Sequence, residues 1–77
     1  MEFYTLRIGN TRYKNISMIG AGLVISRRGR DIKERYNVDP VQIQIDMVNH
    51  MVYQKGAVRM AWYDDDGKVF LSINKRG

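Results

Sequence analysis

The chain has no cysteine and only one histidine and one proline among its 77 residues. Lack of thiols excludes disulfides, cysteine nucleophiles and the usual cysteine–histidine zinc sites. A serine nucleophile would need a base, and His50 is the only imidazole. It falls opposite the apolar stripe of the helix expected around it, so it reads as a solvated surface residue.

Long hydrophobic runs are missing as well. The longest, Met18 to Ile25, is eight residues with two glycines in it, against about 20 for a membrane helix. It reads as core, not anchor. The first residues, Met1 to Arg7, have no basic start, apolar stretch or small-residue cleavage site, so the expected location is intracellular and cytoplasmic. The absence of cysteine suits a reducing compartment. The glycosylation triplet Asn15-Ile16-Ser17 is then coincidental. Repeats, linkers and low-complexity segments are also absent, and residues 1–77 are expected to form a single small domain. A chain this short buries little more than about 60% of its unfolded surface, which makes self-association a natural extra source of burial.

What is present most clearly is a hairpin. Val58 to Tyr63 and Lys68 to Ile73 alternate in hydrophobicity around Asp64-Asp65-Asp66-Gly67, and Asp-Gly is a strong tight-turn signal. With Asp66-Gly67 as a two-residue turn, Asp65 faces Lys68, Trp62 faces Leu71 and Met60 faces Ile73. Val58, Met60, Trp62, Val69, Leu71 and Ile73 then share one face. Tyr63 pairs with Phe70 on the other, either as a platform for stacking unpaired bases or as part of a second small core. A two-stranded hairpin alone is marginal, so the rest of the chain must cover its apolar side.

Phe3 to Ile8 reads as a strand, Gly9-Asn10 as a turn with glycine first, and Thr11 to Ile19 as the returning strand. This register pairs Ile8 with Thr11, Leu6 with Tyr13 and Tyr4 with Asn15, and it sets Arg7 against Arg12. Facing like charges are destabilising, which invites an anion between them. Gly20-Ala21-Gly22 reads as a corner leading into a short strand, Leu23 to Ile25; the dinucleotide fingerprint and the P-loop ending are both missing. Ser26 to Arg30 looks like a loop. Residues 31–38 are ambiguous between helix, through Ile32, Tyr36 and an Asp31–Arg35 pair, and edge strand, toward which the preceding loop tips the reading.

Asp39-Pro40 opens a helix of about residues 40–55, closed by Gly56. Val41, Ile45, Val48 and Val52 lie within about 80° on its wheel and are expected to cover the hairpin. Ile43, Met47 and Met51 form a flanking stripe that either meets the N-terminal hairpin or makes a homodimer seam. The expected fold is thus α+β: a small antiparallel sheet of four to five strands built from hairpins, with one helix packed on one face.

The run Asp64-Asp65-Asp66 offers hard ligands, but acidic residues beside glycine are what a turn prefers, and no second carboxylate cluster exists for a two-metal site. Neither a cofactor nor a metal is expected, and the protein reads as a non-enzyme. Charge is the remaining signal. Thirteen Lys and Arg against eight Asp and Glu give +5. Residues 3–35 hold eight basic side chains (Arg7, Arg12, Lys14, Arg27, Arg28, Arg30, Lys33, Arg35) against two acidic ones. Arginine outnumbers lysine, and its planar fork suits phosphate. The leading expectation is a small basic nucleic-acid-binding or regulatory protein, DNA or RNA, contacting phosphates through these residues. The alternative is a protein-binding module or inhibitor that docks an acidic partner surface.

Overall fold

The computed structural model describes residues 2–54 and 56–76. Four strands, β1 (Tyr4–Ile8), β2 (Thr11–Ile16), β3 (Arg59–Tyr63) and β4 (Val69–Lys75), form one antiparallel sheet in the order β2-β1-β4-β3. Between β2 and β3 run three α-helices, α1 (Met18–Arg27), α2 (Gly29–Tyr36) and α3 (Pro40–Val48), the last continuing into a π-helical turn at Asn49–Tyr53. The fold is α+β as the pattern indicates, with three helices where one was expected.

Both hairpins keep the predicted register over most of their length. Leu6 faces Tyr13, Arg7 faces Arg12 and Ile8 faces Thr11. Gly9 takes φ +59° at the turn, as its first position demands. A bulge at Asn15, φ +57°, then sets Tyr4 against Ile16 instead of Asn15, and β2 ends there. In the second hairpin Met60 faces Ile73 and Trp62 faces Leu71. The turn is longer than the two residues expected. Asp64 N donates to Lys68 O at 2.8 Å and Gly67 N to Asp64 O at 3.0 Å, so Asp64, not Asp65, closes the loop. Asp64 Oδ1 accepts from the amides of Asp66 and Lys68, which fixes the loop. The extra residue is absorbed by a bulge that pairs Tyr63 with Val69. Phe70 is thereby turned inward, 3% exposed, and stacks on Tyr36 of α2 with centroids 4.3 Å apart. The expected Tyr63–Phe70 platform is therefore not formed. Val58, expected in the core, is exposed.

The corner and short strand expected at residues 20–25 are instead part of α1, and the loop expected at Ser26 to Arg30 is the end of α1, the junction residue Arg28 and the start of α2. Ser17 starts α1, its Oγ accepting from Gly20 N at 3.0 Å, and Ala21 and Ile25 face the core. Helical spacing of the apolar residues outweighs the two glycines, each of which costs about 1 kcal/mol relative to alanine. Residues 31–38 are helical through Tyr36. Ile32 is buried, Asp31 bridges Arg35 at 3.4 Å, and Asn37 ends α2 in the left-handed region at φ +56°. Arg28 joins α1 to α2, and Gly29, the first residue of α2, lies close enough to Pro40 that a Cβ would sit 3.2 Å from the proline Cγ, so glycine permits α3 to start there.

Asp39 Oδ1 accepts from Val41 N at 2.9 Å, the predicted cap of α3. Its buried face is the reverse of the expected one. Ile43, Met47 and Met51 are at most 4% exposed and belong to the single core, which excludes them as a dimer seam. Val41, Ile45 and Val52 are exposed. Two apolar stripes compete for one buried face. The face of Ile43, Met47 and Met51 wins because α3 packs against α1 and α2 while the π-helical turn that continues it meets β3.

Candidate functional site

Leu6, Ile8, Leu71 and Ile73 point into the core beneath the helices. Strand alternation therefore sends Thr5, Arg7, Ser72 and Asn74 to the opposite face of the sheet. Pairing of β1 with β4 aligns Arg7 with Ser72 and Thr5 with Asn74. Pairing of β3 with β4 adds Arg59 beside Asn74, and the N-terminal hairpin adds Arg12 beside Arg7. The result is a concavity of about 380 Å³ lined by Arg7, Arg12 and Arg59 with Thr5, Ser72, Asn74 and Val69. Among the described residues its lining includes no carboxylate.

Arg7 sits at the centre. Its Nη2 lies 3.5 Å from Val69 O, and its Nε is buried without a hydrogen-bond partner among the described residues. A buried donor left unmade costs about 1–3 kcal/mol, and the directly facing Arg7 and Arg12 raise each other's energy further. An anion accepting from these groups relieves both terms. Lys14, exposed and two residues on from Arg12, extends the same face, and exposed Tyr63 lies at its β3 margin.

The remaining predicted basic residues lie elsewhere. Arg28 and Arg35 share Asp31, at 3.1 and 3.4 Å, and Arg28 Nη1 also reaches Ile8 O. These two are engaged within the fold. Arg27, Arg30 and Lys33 are exposed on the helical layer. Arg30 and Lys33 border an open depression of about 740 Å³ together with Glu34, Asn37 and Pro40. Arg59, Ser72 and Asn74 were missed as site residues in the sequence. Their signal was alternation opposite the Met60–Ile73 face, but only the long-range β1–β4 pairing brings them beside Arg7.

Among the described residues, no cluster of three or more His, Cys, Asp or Glu side chains is arranged to hold a metal. His50 is half-buried on the π-helical turn. At one corner of the sheet, Glu2 Oε1 lies 2.6 Å from Lys75 Nζ. That contact lowers the Glu2 carboxyl and raises the Lys75 ammonium from their ordinary values, and burial raises the Tyr4 phenol. No helix of the described residues is long and apolar enough to cross a membrane. No protein-family model, curated protein or solved structure gives a significant match to the chain.

Proposed function

We propose that the protein is a non-enzymatic nucleic-acid-binding protein that grips phosphates on the helix-free face of its sheet. The observation that carries the reading is the convergence of Arg7, Arg12 and Arg59 on one concavity whose lining, among the described residues, has no counter-charge. Phosphate is the natural ligand for such a group, since each guanidinium presents a planar fork of donors. The polar lining of Thr5, Ser72 and Asn74 supplies further partners for sugar and phosphate oxygens. Tyr63 at the margin gives a single aromatic face, which favours an unpaired strand over a duplex.

Labelled single-stranded DNA and RNA titrated at low and moderate salt test the proposal. Affinity is expected to fall with rising salt, with a log–log slope of about −2 if three phosphates are neutralised. Charge reversal at Arg7, Arg12 and Arg59 together is expected to weaken binding by more than about tenfold, whereas reversal at Arg28, already paired with Asp31, is not. Absence of binding at tens of micromolar protein in low salt rejects the reading. A second reading, docking to an acidic protein surface, rests on Arg27 and Arg30 beside the exposed Leu23 and Val41 of the helical layer. Capture of a partner that survives nuclease treatment and is lost on reversal of Arg27 and Arg30 would favour it.

A further inference from the structure

The two edges of the sheet differ. β2 is irregular at Asn15 and carries Arg12 and Lys14, features that discourage pairing with another strand. β3 is five residues long, and its one charged side chain is Arg59. Lys75 N donates to Val58 O at 2.8 Å, which fixes the alternation of the ladder. Val58, Met60 and Trp62 direct their backbone groups toward β4, and Arg59, Ala61 and Tyr63 direct theirs to the open edge.

We propose that this edge pairs with β3 of a second copy, antiparallel, about a two-fold axis at Ala61, to give a continuous eight-stranded sheet. Of the symmetric registers only this one uses all three free residues, because Arg59 then faces Tyr63 of the second copy, Ala61 faces its own counterpart, and Tyr63 faces Arg59. Each of these is a hydrogen-bonded pair on the open edge. The register also separates the two Arg59 side chains and sets each against an aromatic ring, a cation–π partner. On the helical side it brings half-buried Met60 against half-buried Trp62 of the second copy. The concavities of the two copies come to lie side by side on one surface, while the blunted β2 strands end the assembly at two.

Sedimentation of the full chain, freed of nucleic acid by a high-salt wash, is expected to show a concentration-dependent dimer. Dimerisation should strengthen as salt screens two chains of +5, the opposite of the trend expected for nucleic-acid binding. Ala61→Pro removes an N–H that the monomer does not use and is expected to raise the dimer dissociation constant at least about tenfold. Circular dichroism checks that the variant folds. Independently of that variant, Ala61→Cys is expected to form a disulfide dimer in air. The paired Cα atoms are about 5.5 Å apart, within disulfide reach. Tyr63→Cys is not, because its counterpart lies about 13 Å along the strand. A monomer at hundreds of micromolar, a dimer indifferent to Ala61→Pro, or cross-linking at position 63 in place of 61 overturns the proposal.

Discussion

At the scale of single residues, small groups decide where elements begin and end. Ser17 caps α1 through one hydroxyl, and Ser17→Ala is expected to cost about 1 kcal/mol in chemical denaturation. Glu2 and Lys75 fasten the start of the chain to β4, with Lys75 paired to Tyr4 across the sheet. The lowered Glu2 carboxyl contributes stability above its unfolded value, lost as pH falls through its folded one. The raised Lys75 ammonium contributes below its unfolded value and loses this as pH rises through its folded one. Glu2→Gln is therefore expected to match wild type in acid and to fall slightly below it around neutrality, in thermal melts across pH. The effect is small because both groups are solvated. Individual residues were also the least legible feature of the sequence. Nothing in Asn15 or Phe70 announced a bulge, yet each changes which side chains face the core.

At the scale of elements, α3 gives the sharpest test. Ile43 and Ile45 are two residues apart with the same side chain, one buried at 3% and the other 48% exposed. Ile43→Ala is expected to cost about 2–5 kcal/mol and Ile45→Ala well under about 1, measured by urea unfolding. The reverse order would restore the face read from the wheel. That wheel reading failed because a helix apolar on two flanks does not say which flank meets a second helix, and α1 itself was read as a corner. The glycines of Gly20-Ala21-Gly22 weighed toward that corner, while the spacing of Ala21 and Ile25 was masked by apolar neighbours. The hairpins fared better: turn chemistry and period-2 alternation are both local, so their register was legible almost completely. For the candidate site, the facing of Arg7 and Arg12 was legible for the same reason, and the addition of Arg59 was not, since it depends on which strands of different hairpins meet.

At the scale of the whole molecule, stacking all three helices on one side of the sheet leaves Arg7, Arg12 and Arg59 on the helix-free side, while Arg27, Arg30 and Lys33 stay exposed on the helical layer. The strand order has a further consequence. β1 and β4, the first and last elements, are neighbours at the centre of the sheet. A nascent chain still lacking residues 69–75 can close the β1–β2 hairpin and wind its helices, but it has no central strand for β3 to join and half a floor beneath Met47. Closure of the sheet therefore waits for β4, the strand that joins its two hairpins.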